Sequence, residues 1–158
     1  MEMGLDMYLT AERFLSRYMG NDQEAEGRRI DLISEQFEEL RACEAKVTTV
    51  IAEVGYWRKA NAIHNWFVQN VQDGKDECEK TYVERELLQK LLDTVNEVLA
   101  DRSKAEELLP TKSGFFFGDT SIDDEYFEDL EHTKKVLEAI LVPDRFNYLW
   151  DFYYQSSW

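Results

Sequence analysis

The chain has 158 residues, 44% hydrophobic and 13% aromatic, which suits one domain with a real core and excludes a disordered acidic tail. Basic residues number 18 against 33 acidic ones, a net charge of −15. A surface of that sign repels the phosphate backbone, so direct nucleic-acid binding is not expected, while plain solubility and an acidic decoy both remain open.

In chain order, Leu5, Met7 and Leu9 alternate with Asp6, Tyr8 and Thr10 after Met3-Gly4, a strand pattern at the start. A helix is predicted from Asn21 or Asp22, with Glu24 in a capping-box position, Gly27 weakening its first half, and Ile30, Ile33, Phe37 and Leu40 as its apolar stripe. The β-branched run from Lys46 to Trp57 predicts a second strand. A helix follows over Lys59 to Gln72, with Ala60, Ile63, Phe67 and Val71 inward, then a polar loop from Asp73 to Lys80. Thr81 and Glu84 read as a capping box that launches the strongest helix, carrying Leu87, Leu88, Leu91, Leu92, Val95, Val98 and Leu99. Ser103 to Glu106 opens a short helical turn closed by Pro110, and Ser113 to Gly118 is a hydrophobic loop or short strand between two glycines. The last helix is expected from Asp123 to Leu141, and after Pro143 an aromatic strand with Phe146, Tyr148, Trp150, Phe152 and Tyr154 on one face. The expected class is α+β in a single domain, 1–158: a small antiparallel or mixed sheet of N-terminal, central and C-terminal strands packed by about four helices.

The sharpest local feature is Gly55 to Trp66, which crosses the second strand-to-helix junction and sets Arg58 beside Lys59 in a very acidic chain. A helix N-terminus offers unpaired N–H groups and a positive dipole end, which suit an anion such as phosphate. Tyr56 or Trp57 would stack a base or lie against the Arg58 guanidinium. Asn61 and His64 share a helical face three residues apart. Equally, the indoles belong to the core and Arg58 pairs with an acidic neighbour. Tyr153, Tyr154, Gln155 and Trp158 would complete such a pocket from the C-terminal strand, or else pack in the sheet. A second constellation is the acidic run of Asp119, Asp123, Asp124, Glu125, Glu128 and Asp129, part of which the dipole of the last helix explains.

Several chemistries lack support. Two histidines, His64 and His132, preclude a multi-histidine metal centre within the chain, and no metal or cofactor is expected. No nucleophile elbow, phosphate-binding loop or dinucleotide fingerprint is present. Cys43 and Cys78 are distant and read as reduced thiols. No basic stretch followed by an apolar one opens the chain, and no apolar run nears the roughly 20 residues that cross a bilayer, so a cytoplasmic protein is expected.

The segments MGLDMYL, GYWRKANAIHNWFVQNV, the SGFFFG loop and the closing WDFYYQSSW resemble a family of small, functionally uncharacterised proteins of bacteriophages and prophages. The resemblance covers most of the chain apart from the acidic segment near Asn21 to Cys43, and supplies no catalytic map. It implies an accessory protein of the host-cell cytoplasm that blunts host defence. On that footing the first expectation is a non-catalytic sponge that sequesters a nucleotide-derived immune signal, as a homodimer or higher homo-oligomer. The alternatives are an acidic decoy or DNA mimic that binds and inhibits a host defence protein and, third, a nucleotide-modifying enzyme.

Overall fold

A computed structural model describes residues 4–18 and 22–158. Met3 and Asn21, named above at the start of the first strand and first helix, lie outside the described residues. Among the described residues the fold is α+β, a four-stranded antiparallel sheet in the order β2-β1-β4-β3 with six α-helices. Its strands are β1 (Asp6–Phe14), β2 (Thr49–Arg58), β3 (Thr81–Val83) and β4 (Asp151–Ser157). The helices are α1 (Gln23–Glu35), α2 (Glu38–Ala42), α3 (Asn61–Asn70), α4 (Arg85–Ala100), α5 (Ala105–Leu108) and α6 (Asp124–Ile140). Among the described residues no helix is long and apolar enough to cross a membrane.

Two compact units are distinguishable, one of residues 4–11 and 53–158, the other within 12–52. The first holds the aromatic core. Leu5 just before β1 and Met7 and Leu9 within it point inward, as do Phe152 and Tyr154 from β4, and Leu88, Leu91 and Val95 supply the buried stripe of α4. Phe67 of α3 stacks face to face on Tyr154 at 4.0 Å between centroids, an aromatic pair of the kind that adds about 0.5–1.5 kcal/mol beyond its burial. The second unit relies more on charge. Arg13 reaches both carboxylate oxygens of the buried Glu26, at 3.1 and 3.0 Å, and Arg29 adds a 2.7 Å contact one helical turn along.

Several sequence expectations shift. The stripe through Phe37 and Leu40 predicted one helix, but the chain leaves α1 at Gln36 and turns extended at Phe37, whose ring is exposed. Asp22 precedes α1 without a side-chain cap, so the capping box does not form. Gly27 does sit in that helix; a Cβ there would stand 3.2 Å from the Arg17 guanidinium. Thr81 is not a helix cap: it pairs with Tyr154 in β3, and α4 starts after Glu84. The aromatic C-terminal strand begins at Asp151 rather than Phe146. Asn147 makes the intervening turn, its side chain accepting from Leu149 N and its carbonyl from Trp150 N, and leaves Tyr148 in solvent.

Candidate functional site

β2 alternates its side chains, so the aromatic-cationic run at its end is split between two faces. Trp57 turns inward. Its ring is 2% exposed and its indole N–H donates to Thr133 Oγ1 at 2.9 Å, so it offers no stacking face to a ligand. Tyr56 turns outward, 39% exposed, but its ring lies tilted against Tyr8 and its hydroxyl donates to Asp6. That hydrogen bond to a carboxylate raises the phenol above its ordinary value.

Arg58 and Lys59 line a cavity of about 220 Å³ at the entry to α3. Lys59 adopts a left-handed backbone (φ 59°), rare for a residue with a Cβ, and so stays outside the helix that sequence periodicity starts there. Its N–H donates to Leu5 O and its carbonyl accepts from Asn61 N, both at 2.8 Å. The lysine stem passes two glycines. A Cβ at Gly118 (φ 84°) would lie 3.1 Å from Lys59 Cβ, and one at Gly4 would lie 3.1 Å from Lys59 Cε and 3.5 Å from an Arg58 nitrogen. Those positions leave the cationic pair its course. Arg58 also stands 3.8 Å from the Asp6 carboxylate.

Asn61 borders the same cavity, but as a clamp. Its amide donates to Phe117 O at 3.1 Å and Asp119 O at 2.7 Å, and its oxygen accepts from Lys112 N at 3.0 Å. These bonds fasten residues 112–119 over the start of α3 and use both amide donors and one of the two acceptor sites of the oxygen. Flanking the fastened segment, Thr111 Oγ1 donates to Thr120 O at 2.9 Å.

The lining is also acidic. Asp119, Asp123, Glu125 and Asp129 all face the cavity, so the structure brings together two constellations that lie 60 residues apart in the sequence. Their roles differ. Asp119 accepts from the backbone and side chain of Ser121, which holds its carboxyl below the usual range. Asp123 caps α6 by accepting from Tyr126 N at 3.2 Å. Asp129, half-buried one turn beyond Glu125, is pushed up to about 7, first by burial and then by the charges of Glu125 and Glu128. Two members of the acidic run stay off the cavity: the Asp124 side chain is fully in solvent near Arg102, and Glu128 is exposed.

His64 and the C-terminal residues do not join this cavity. His64 is completely buried one turn into α3, Nδ1 2.7 Å from Tyr154 OH and Nε2 2.9 Å from Asp76. With Asp76 accepting, the tautomer follows: Nε2–H donates to the carboxylate and Tyr154 O–H donates to Nδ1. Burial, then the Asp76 charge, holds the Tyr154 phenol well above its ordinary value. The other Asp76 oxygen accepts from Trp158 Nε1 at 3.1 Å, and Gln155 donates to Cys78 O at 3.1 Å. Tyr153 packs edge-on against Tyr82 beneath the Lys80 ammonium. These residues tie the C-terminal strand to the loop at 76–78 rather than complete a pocket.

Sequence reasoning missed Ser121, Thr111 and Gly118 as cavity residues. Gly118 carries the one local signal, a glycine closing a hydrophobic loop. Among the described residues no group of three His, Cys, Asp or Glu side chains is placed to hold a metal ion, and both cysteines are unpaired. No protein-family model, curated protein or solved structure matches this chain.

Proposed function

We propose that this chain is a non-catalytic binding protein, of the bacteriophage accessory kind its segments resemble, that sequesters a small nucleotide-like signal of host defence in the cavity at the start of α3. One observation carries the reading: Arg58 and Lys59 converge on a cavity whose other wall is polar, at a left-handed residue threaded past Gly4 and Gly118. Strained backbone of this sort costs on the order of 1–3 kcal/mol and gathers at ligand sites. Cationic side chains beside the first N–H groups of a helix suit an anionic group. The buried Trp57 has no part in the capture, and Tyr56 stands outside the cavity lining.

Self-association belongs to the same proposal, since Phe115 (94% exposed) and Tyr148 leave large rings in water; light scattering that returns a monomeric mass removes that part. An acidic decoy would draw on Asp124 and Glu128, the members of the acidic run that look away from the cavity.

The test is to purify the protein from infected or expressing cells, denature it by heat and analyse the supernatant by mass spectrometry. An intact, unmodified small anion is expected from the native protein and none from Arg58→Ala. Equal release from both proteins rejects the site, and a chemically altered product indicates an enzyme.

A further inference from the structure

The cavity is small and carries both signs of charge, and together these features restrict what it holds. At about 220 Å³ it falls below the roughly 300–1,000 Å³ of sites for drug-sized ligands. It therefore encloses a fragment about the size of a sugar phosphate. Any base, or a second nucleotide, lies outside.

The walls differ in the chemistry they offer. Arg58 and Lys59 supply cationic donors from the β2–α3 junction, suited to one phosphate. In the same lining, Asp119 and Asp123 already accept hydrogen bonds from Ser121 and Tyr126. Glu125 and Asp129 are different: four residues apart on one face of α6, they receive no hydrogen bond from the described residues. An ionised carboxylate only accepts, a state that Asp129, pushed up to about 7, reaches above that pH; there the partners of the pair on a ligand are hydroxyl or amino donors. Paired acceptors in the same small cavity as a phosphate site match the vicinal hydroxyls of a ribose, the contact acidic residues make in dinucleotide-binding folds.

Charge sets an upper limit on the anion. Arg58 and Lys59 share the lining with four carboxylates, and Arg58 also stands 3.8 Å from Asp6 outside it. One phosphate is accommodated beside the cations, whereas a polyphosphate carries its further charges toward the acidic wall.

We infer that the cavity selects a ribose monophosphate unit, its phosphate at Arg58 and Lys59 and its vicinal hydroxyls donating to Glu125 and Asp129, and that it rejects polyphosphates. This rests on the capture role proposed above and narrows it to a ligand class.

The experiment is isothermal titration calorimetry of the full chain, stripped of bound small molecules by refolding, against ribose 5-phosphate, 2-deoxyribose 5-phosphate, adenosine 5′-monophosphate and adenosine 5′-triphosphate. Ribose 5-phosphate and the monophosphate should bind, with the deoxy sugar and the triphosphate at least about tenfold weaker. The double substitution Glu125→Gln, Asp129→Asn should erase the ribose-over-deoxyribose preference, with its fold checked by thermal melting. Equal affinity for the two sugars, or for mono- and triphosphate, overturns this inference and leaves anion capture standing. Silence from all four compounds overturns both. The sugar and phosphate comparisons use the native chain, so they stand even if the double variant fails to fold.

Discussion

Helix α3 carries two polar clusters about one turn apart, and they are put to opposite uses. His64 is sealed between Tyr154 and Asp76, with both ring nitrogens satisfied inside the chain. The residues just before the helix, Arg58 and Lys59, border a cavity that Glu125 and Asp129 also line. A buried polar network that is fully paired specifies the frame, whereas acceptors that face an open concavity remain available to something else. Both clusters look alike in sequence, since each sets aromatic rings among polar groups. Only the accounting of hydrogen bonds separates frame from site.

That contrast breaks most visibly at His64. His64→Ala removes a buried ring that Phe117 packs against at 5.0 Å and strands the Tyr154 hydroxyl in the core. It should cost about 3–4 kcal/mol in urea unfolding. A cost below about 1 kcal/mol would mean that the network is not structural. Asn61→Ala tests the clamp. Losing its three bonds to residues 112–119 should cost about 2 kcal/mol and also weaken nucleotide binding, because the wall of the cavity loosens.

Asp129 sharpens the comparison through pH. Its folded-state value of about 7 lies above the ordinary 3.8, so the folded chain holds this proton more tightly than the unfolded chain. Its contribution is intact below about pH 4 and lost as the pH rises through about 7. The full shift would amount to roughly 4 kcal/mol, and solvent access at a half-buried side chain reduces this to about 1–2 kcal/mol. Asp129→Asn should therefore stabilise the protein by that amount at pH 8 and hardly at all at pH 4, as read from melting curves across the range. Equal effects at both pH values would remove the assignment. The smallest stability effect belongs to Arg58→Ala, expected within about 0.5 kcal/mol of wild type for a solvent-accessible ion pair. The same change should weaken adenosine monophosphate at least about tenfold, which divides function from stability in one variant.

Much of the frame was legible from periodicity. The stripe of α4, the span of α6 and the β-branched run of β2 each lie where the sequence puts them, because long amphipathic segments are decided locally. β3 was not legible: Thr81, Tyr82 and Val83 become a strand through pairing with Tyr154, Tyr153 and Phe152, a contact some 70 residues away. The rings from Phe146 to Trp150 carry high strand propensity, yet the turn at Asn147 prevails. At the site, the cationic pair could be read from composition alone. The acidic wall opposite it could not, since Asn61 joins the two through backbone carbonyls that no sequence pattern marks.

The most direct test is amide chemical-shift mapping of the isotope-labelled chain titrated with adenosine 5′-monophosphate. The account predicts perturbations centred on residues 58–63 and 118–130, with the Trp57 and Trp158 indole signals unmoved. Shifts centred on residues 153–158, or no shifts at all, would contradict it.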